Sequence, residues 1–301
     1  MAARSELPNF FLIGAAKSGT TALFDLLAQH PQVYTPFEKE PKFFNNDANY
    51  ARGMDWYIKT YFKNASKFPA RGEATPHYLF WGEKVATRIQ QIYDPAEVKF
   101  IAIFRDPVKR AYSQYWMHVQ GENERLSFKD ALAAEEQRLT EMCQEMQPAG
   151  LIKYAYYRGG CYATLLQPYL QRFPRQHFHF LLHEDLKVDF SATMHNLSEF
   201  LGIQAGFGYR PVVSNPSYVL RFHNQQYLFL NTIYKKLILT LPELHRYRLR
   251  KRILQVNRRP QTYPPIDQDV EHWLRDRYRE EIKQLEVILG RDLGQWNQEA
   301  A

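Results

Sequence analysis

A glycine-bearing loop between a predicted strand and a predicted helix constrains this sequence more than any other segment. The apolar run Asn9–Ile13 fits a buried parallel strand, and residues 22–29 fit the helix that follows it. Between them, Gly14–Thr21 contains two glycines, two threonines, a serine and a lysine. Such a loop presents backbone N–H groups and a helix N-terminus to an anion, and glycine permits close approach. The loop therefore predicts a phosphate site.

The loop departs from the pattern of nucleoside triphosphatases. That pattern ends in Gly-Lys-[Ser/Thr], whereas Thr20 follows Gly19 here and the lysine stands earlier, at Lys17. The displaced lysine argues against a nucleotide kinase or a magnesium-dependent triphosphatase, which stays as an alternative function. An ordinary strand-to-helix turn without a ligand is the structural alternative. The ten histidines and two cysteines show no spacing typical of metal ligands, so no metal site is predicted.

Two further strand–turn–helix units predict the fold class. Val98–Phe104 precedes a helix that ends near Gln120, and His177–Leu182 precedes a helix over 191–201. The repetition predicts an α/β fold with a central, mainly parallel sheet flanked by helices. Other helices are predicted over 128–145, 162–172, parts of 218–240, and 267–289. No repeat or linker interrupts the sequence, so residues 1–301 are predicted to form a single domain.

Net charge and hydropathy indicate which kinds of molecule this protein binds and whether it spans a membrane. The 39 basic and 32 acidic residues give a net charge of +7, and residues 246–259 hold seven basic residues and no acid. A basic excess indicates an anionic partner without identifying it, so a non-catalytic anion-binding protein is a further alternative. Without an 18-residue apolar stretch or a secretory segment, we expect a cytoplasmic protein with no membrane span. Nucleic acid is not the expected partner.

The two turns after the first strands together resemble a known family. Residues 8–31 are similar to the 5′-phosphosulfate-binding segment of sulfotransferases that use 3′-phosphoadenosine 5′-phosphosulfate (PAPS). Phe104–Tyr115 resembles their 3′-phosphate-binding segment, with Arg105 and Ser113 at the two ligand positions. An arginine at the end of a strand and a hydroxyl on the next helix can converge on one anion. The resemblance implies a sulfotransferase that releases 3′-phosphoadenosine 5′-phosphate (PAP) and needs no metal.

Further segments resemble the heparan-sulfate-type branch of this family. Phe37–Phe44 is similar to its Lys-Glu-x-x-Phe-Phe segment, residues 72–78 to its Glu-Lys-Thr-Pro-x-Tyr segment, and residues 259–267 to its late cofactor-covering loop. Ala74 replaces the lysine of the second segment, and Arg259-Pro-Gln replaces Lys-Gly-Arg in the third. The departures favour the sulfotransferase domains of bacterial polyketide and olefin synthases, whose acceptor is the β-hydroxyl of an acyl chain on an acyl carrier protein. A carbohydrate or another small hydroxyl compound is the alternative acceptor.

The resemblance also implies roles for individual residues. Lys17 would contact the bridging oxygen of the leaving phosphate, a role that suits a mobile point charge. Glu40 matches the catalytic carboxylate of the branch, and His77 is the rival base because an imidazole titrates near neutrality. A solvated acid at 40 and a packed structural histidine at 77 are the competing interpretations. Arg221 and His223 are candidate acceptor contacts. The implied cofactor-binding residues are Gly14, Ala15, Ala16, Lys17, Ser18, Gly19, Thr20, Thr21, Arg105, Ser113, Tyr162, Arg259, Gln261 and Thr262.

Overall fold

A five-stranded parallel sheet forms the centre of the structure, a computed structural model. It describes residues 4–144, 148–212, 218–220, 258–260 and 263–296, with the backbone alone at 144, 148–150, 218–220 and 258–260. The strands are β1 (Phe10–Gly14), β2 (Val33–Tyr34), β3 (Ala70–Ala74), β4 (Lys99–Phe104) and β5 (Phe178–Leu182). Their spatial order is β2-β3-β1-β4-β5, and every adjacent pair is parallel. The predicted α/β fold with a central parallel sheet is confirmed.

Helices connect the strands. Those described are α1 (Thr20–Leu27), α2 (Asp47–Tyr50), α3 (Gly53–Tyr57), α4 (Gly82–Gln90), α5 (Pro107–Gln120), α6 (Phe128–Ala133), α7 (Glu135–Gln144), α8 (Pro148–Tyr154), α9 (Tyr162–Leu170), α10 (Asp185–Val188), α11 (Phe190–Leu201) and α12 (Gln268–Leu289). A short 3₁₀ turn, Pro76–Tyr78, follows β3. Within the described ranges, no helix has both the length and the apolar character that crossing a bilayer requires.

Alternate residues of the central strands enter two separate cores, one on each face of the sheet. Phe11 and Ile13 pack in the core that includes residues of α4, α5, α9 and α12. Phe10 and Leu12 pack in the core built with α1 and α11. Every residue of β1 is buried. This burial on both faces explains the continuous apolar run that predicted the strand.

The strand β3 was not predicted. Its sequence, Ala-Arg-Gly-Glu-Ala, has no apolar run, yet four of its five residues are buried. Gly72 is required within it, because a Cβ there would lie 2.4 Å from the ring of Phe10 on the neighbouring strand. Pairing with β1 therefore determines this strand, rather than local preference.

One helix prediction needs correction, and a second falls mostly outside the described residues. The predicted helix over 128–145 is divided into α6 and α7, because Ala134 ends α6 and Glu135 turns into the structure. The buried carboxylate of Glu135 accepts hydrogen bonds from the backbone N–H groups of Tyr157 (2.7 Å) and Arg158 (2.9 Å). Of the range 218–240 the structure describes Tyr218–Leu220, which forms a short strand, β6, that pairs antiparallel with β7 (Arg258–Pro260). The rest of this range, on which the predicted helical parts fall, lies outside the described residues.

The turn between β4 and α5 is held from two directions. Asp106 caps α5, since its carboxylate accepts from the N–H groups of Val108 (2.8 Å) and Lys109 (3.2 Å). A carboxylate cap followed by a proline in the first turn is a common start of a helix. From the C-terminal helix α12, Arg275 forms an ion pair with Asp106 at 3.4 Å, and both side chains are buried. The position of Arg105 is therefore fixed by its neighbour.

Candidate active site

Three neighbouring strands end at one edge of the sheet, and the residues after them form the candidate site. The backbone N–H of Ala15, after β1, donates to the carbonyl of Ile103 in β4 (2.8 Å). The N–H of His183, after β5, donates to the carbonyl of Phe104 (2.7 Å). These bonds bring the three turns together at the carboxyl edge, where α/β sheets bind ligands.

The loop after β1 leaves backbone donors free. The N–H of Ser18 donates to the carbonyl of Ala15 and that of Leu23 to Gly19, both at 3.1 Å. In the described part of the chain, nothing accepts from the N–H groups of residues 19–22. Lys17 and Gly19 have left-handed φ angles of 70° and 104°, a feature of loops that form anion-binding concavities. Free donors at the start of α1 fit a phosphate.

A buried polar atom in the same loop lacks a partner. Ser18 is fully buried, and its Oγ makes no hydrogen bond to any residue that the structure describes. The nearby hydroxyl of Tyr162 donates instead to the carbonyl of Arg105 (3.0 Å). Leaving a buried hydroxyl unsatisfied costs about 1–3 kcal/mol, so an oxygen-rich ligand would remove that cost. The loop therefore fits the phosphate of a nucleotide.

Gly19 packs directly against the imidazole of His183. A Cβ at Gly19 would lie 2.9 Å from Nδ1 of His183 and would also be strained by the positive φ. Burial, with the charge of Arg105 as a smaller cause, lowers the pKa of His183 to about 4. An uncharged ring thus faces the loop. Sequence reasoning missed this residue, although its position directly after a strand was a usable signal.

The residues predicted to bind the 3′-phosphate lie on the turn after β4 and on α5. Arg105 is half-buried, and no described residue accepts a hydrogen bond from its guanidinium. Ser113 is half-buried on the helix that follows. Tyr162 is fully buried, and burial raises the pKa of its phenol to about 12. Because this hydroxyl holds the carbonyl of Arg105, Tyr162 supports the site from the core.

A cleft of about 290 Å³ opens beside the loop and brings Lys17 and His77 together. The side chain of Lys17 lies along its wall, with Nζ 3.7 Å from Sδ of Met117. Lys42 and Lys153 contribute two more positive charges to the lining. The acid in the lining is Asp47, whose carboxylate binds Lys84 (3.1 Å) and Arg88 (2.5 Å). The cleft is therefore positively charged.

Glu40 lies on the loop that borders this cleft. Its Oε2 is 3.8 Å from Nζ of Lys42, and its side chain is 32% exposed, so the carboxylate remains accessible. Both residues have left-handed backbone angles, with φ of 61° at Glu40 and 53° at Lys42. Together with Lys17 they are three of the five described non-glycine residues with positive φ. Such strained conformations cluster at functional sites.

Opposing effects of burial and nearby charges set the pKa of the His77 imidazole. Burial lowers its pKa, the charges of Lys42 and Lys39 lower it further, and the charge of Glu40 opposes them. The lowered pKa keeps the ring neutral at neutral pH, so it can accept a proton. The proximity of Glu40 and His77 leaves both residues as candidates for the base.

Lys39 and His118 also contribute to the site, the first from the Phe37–Phe44 segment and the second from α5. Lys39 links the loop that carries Glu40 to the phosphate loop, residues 14–21, because Nζ of Lys39 donates to Oγ1 of Thr21 (2.7 Å). His118, on α5, lines the cleft. Burial lowers the pKa of His118 to about 4, and the charges of Lys153 and Lys17 add to the effect. Of the residues described, no group of three His, Cys, Asp or Glu lies close enough to hold a metal ion.

The late segment is described only in part. Four of the predicted site residues lie outside the described residues: Arg221, His223, Gln261 and Thr262. For Arg259 the structure describes the backbone alone. The residues that follow pack on α5, where the ring of Tyr263 stacks on Trp116 at 5.3 Å. The carbonyl of Pro264 accepts from the hydroxyl of Tyr112 at 2.9 Å. The described segment that begins at Tyr263 therefore lies on the helix that carries Ser113.

Known proteins provide an independent comparison. The bifunctional heparan sulfate N-deacetylase/N-sulfotransferase 3 of Homo sapiens is 27% identical over 97% of this chain, which covers 31% of that protein. The heparan sulfate glucosamine 3-O-sulfotransferase 5 of Mus musculus is 29% identical over 72% of this chain and 61% of its own length. The chain thus spans less than two thirds of these relatives.

Two comparisons cover most of the chain. The crystal structure of a sulfotransferase from Alicyclobacillus acidocaldarius superimposes with a TM-score of 0.68 and 26% identity, covering 97% of this chain and 99% of that one. The family described as "Sulfotransferase domain" matches residues 7–226. This match includes the phosphate loop, the turn after β4 and the cleft. The chain therefore belongs to the sulfotransferase domain family and is a transferase enzyme.

Proposed function

We propose that this enzyme transfers the sulfuryl group of PAPS to an acceptor hydroxyl in the cleft beside residues 14–21. One observation carries the proposal: the N–H groups of residues 19–22 and the Ser18 hydroxyl, which have no partner among the described residues, lie next to a cleft that contains Lys17 and His77. Sulfotransferases use PAPS, which supplies an activated sulfuryl group when it is bound. The residues of this chain bind the two phosphates and move one proton.

The two phosphates of the donor would be bound by separate turns. Residues 14–21 would hold the 5′-phosphate through the free N–H groups and the hydroxyls of the loop. Arg105 and Ser113 would hold the 3′-phosphate, with Tyr162 fixing the backbone of Arg105. Arg259 and residues 261–262 would cover the nucleotide from the late segment. The binding of two phosphates at two sites distinguishes this arrangement from that of a nucleoside triphosphatase.

We expect PAP to bind far more tightly than AMP, because AMP lacks the 3′-phosphate. A hydrogen bond to a charged group contributes about 1.5–3 kcal/mol, so Arg105→Gln should weaken PAP about 10- to 150-fold. The variant should leave the weak binding of AMP nearly unchanged. Calorimetry with both nucleotides tests this, with the exposed Arg125→Gln as the matched control. Equal affinity of the wild type for PAP and AMP would contradict the assignment of Arg105 and Ser113.

Sulfuryl transfer requires positive charge at the leaving phosphate and a base for the acceptor proton. Lys17 is the cation we assign to the leaving oxygen, since its side chain lines the cleft next to the phosphate loop. Glu40 is the base we assign, with His77 as the competing candidate. The accessible carboxylate of Glu40 supports the first choice, and the lowered pKa of His77 supports the second.

The acceptor we propose is the β-hydroxyl of an acyl chain on an acyl carrier protein. Ala74 is fully buried in β3, so this position offers no cation to a sulfated sugar. The cleft nevertheless has positive charge from Lys17, Lys42 and Lys153, which would attract an acidic carrier protein. A carbohydrate hydroxyl is the second candidate, because the relatives that match this chain include heparan sulfate sulfotransferases.

A panel of acceptors with labelled PAPS tests the function and separates the two candidates. The panel contains β-hydroxyacyl carrier proteins, oligosaccharides, phenols and sterols. Label on the acyl chain supports the first acceptor, and label on the oligosaccharide supports the second. Stabilisation by ATP with magnesium but not by PAP, together with the absence of transfer to every acceptor, would contradict the proposed function.

A further inference from the structure

Glu73 is a fully buried carboxylate whose hydrogen-bond partners are all hydroxyl groups. Its Oε1 accepts from the hydroxyls of Tyr57 (2.6 Å) and Tyr78 (2.9 Å), and its Oε2 accepts from Thr75 (2.6 Å). No lysine or arginine of the described chain forms an ion pair with it. A buried charge without a cation is costly, so stability alone does not account for a carboxylate at this position.

Tyr57 and Tyr78, which donate to Glu73, also contact the loop that carries Glu40. The hydroxyl of Tyr78 accepts a hydrogen bond from the backbone N–H of Phe44 (3.2 Å), at the end of that loop. The ring of Phe43 stacks on Tyr57, with centroids 4.4 Å apart and an interplanar angle of 19°. The end of the loop is therefore attached to the same two tyrosines that donate to Glu73.

The other connection leads to His77. Thr75 and Tyr78, which both donate to Glu73, lie on either side of the Pro76–His77 step in the short 3₁₀ turn. The turn is anchored to the core, because the carbonyl of Tyr78 accepts from the hydroxyl of Tyr169 (2.8 Å). The two segments that carry the candidate bases thus meet at one carboxylate.

In the described chain, the titratable groups that interact with Glu73 are phenols and one carboxylate, and the cation Arg71, two residues away on β3, interacts with Tyr93. The titratable neighbours of Glu73 are Tyr57, Tyr61, Tyr78, Tyr93, Tyr169 and Glu40. Burial raises the pKa of Glu73 to about 7, although its three hydroxyl donors oppose the rise, and Glu40 adds to it. Both protonation states are therefore accessible near neutral pH. The ionised form accepts from all three hydroxyls, whereas the protonated form must donate its own proton to one of them.

We propose that Glu73 is a positioning residue, which fixes Glu40 and His77 relative to the cleft through its three hydroxyl donors. The inference rests on the proposed sulfuryl transfer, since it concerns the placement of the base. Ionised Glu73 holds both segments at once. Protonation of Glu73 removes one of the hydrogen bonds that it accepts and so loosens one of the two segments. Turnover should therefore fall as the pH drops through the pKa of Glu73.

The first test compares Glu73→Gln with the wild type, each with PAPS and the acceptor that the panel identifies. We expect kcat to fall about 10- to 100-fold, the usual cost of misplacing a reacting group by about 1 Å. The affinity for PAP should stay within about twofold, and the limb of the pH–rate profile near pH 7 should disappear. Unchanged kcat with an unchanged pH profile would overturn the proposal.

Thermal unfolding shows whether the change is merely structural. The raised pKa means that the stability contribution of Glu73 is fully present below its unfolded pKa and is lost as the pH rises through about 7. Glu73→Gln should therefore melt no lower than the wild type at pH 8, even though it is slower. A lower melting temperature at pH 8, with a parallel loss of PAP affinity, would show that Glu73 serves only the fold.

A matched pair of tyrosine variants tests the route. Tyr78→Phe removes a donor to Glu73, and we expect it to reduce kcat as Glu73→Gln does. Tyr93→Phe removes a hydroxyl that also faces Glu73 but has no hydrogen-bond partner among the described residues, so kcat should not change. Equal effects of the two variants would contradict the proposal.

An NMR titration of the His77 imidazole gives a readout that does not depend on turnover. Glu73→Gln and Tyr78→Phe should shift its pKa, and Tyr93→Phe should not. If the wild type transfers no sulfuryl group, the proposed function fails, while this titration still decides whether Glu73 positions His77. An unshifted pKa in Glu73→Gln would overturn the link to His77.

Discussion

Lys17→Ala is expected to lower kcat about 10²- to 10³-fold, the usual cost of removing one preorganised group that stabilises developing charge. The physical reason is that negative charge grows on the leaving phosphate in the transition state, where a positive side chain contributes most. The side chain of Lys17 reaches the cleft from a loop whose backbone N–H groups would still be available to bind phosphate in the variant. The affinity for PAP should therefore fall much less than kcat.

Initial rates at saturating PAPS, with calorimetry for PAP, measure the two effects separately. The exposed Lys129→Ala on α6 is the matched control, because it removes the same charge away from the cleft. A variant at Lys17 that loses PAP affinity and kcat to the same extent would show a role in binding alone. Near-normal turnover would show that another cation serves the leaving group.

Glu40→Gln is expected to reduce the rate about 10²- to 10⁴-fold, the share that a general base usually contributes. Glutamine keeps the shape and hydrogen-bonding capacity of the side chain but cannot take a proton. The proposed donor site lies on residues 14–21 and 105–113 and not on the loop of Glu40, so the affinity for PAP should hardly change. The exposed Glu38→Gln on the same loop is the control, and His77→Ala tests the rival base.

The outcomes separate the two candidates. If Glu40→Gln retains near-normal turnover while His77→Ala does not, the histidine is the base. The carboxylate of Glu40 then only raises the pKa of the imidazole. If neither variant is slower, the base lies elsewhere, and His223 is the next candidate. The pH–rate profile adds a check, because a base at His77 with its lowered pKa would stay active below neutrality.

The sequence predicted those parts of the fold that are encoded locally. Strands β1, β4 and β5 are apolar because they are buried on both faces, so continuous runs identified them. Strand β3 could not be predicted, because its sequence has no apolar run. Its burial depends on β1, where the ring of Phe10 occupies the space that Gly72 leaves. Such pairing is a property of the tertiary structure and leaves no local pattern.

The same distinction applies to the site. The phosphate loop could be predicted because all its parts lie within eight consecutive residues, 14–21. The proximity of His77 to Lys17 depends on β3 being the spatial neighbour of β1, although about sixty residues separate the two side chains. The burial of Glu73 among hydroxyls requires α3 as well, since Tyr57 comes from that helix. No single segment of sequence contains that information.

The walls of the cleft come from two kinds of structure. The donor side consists of turns at the ends of adjacent strands, so any shift there would disturb the sheet itself. The facing wall includes Asn45 and Asn46, on the loop before α2, and Lys153, near the end of α8. Segments outside the sheet, loops above all, tolerate substitution better than strand ends do. A directed library at these three positions should therefore change the preferred acceptor while leaving intact the turns that we propose bind the donor.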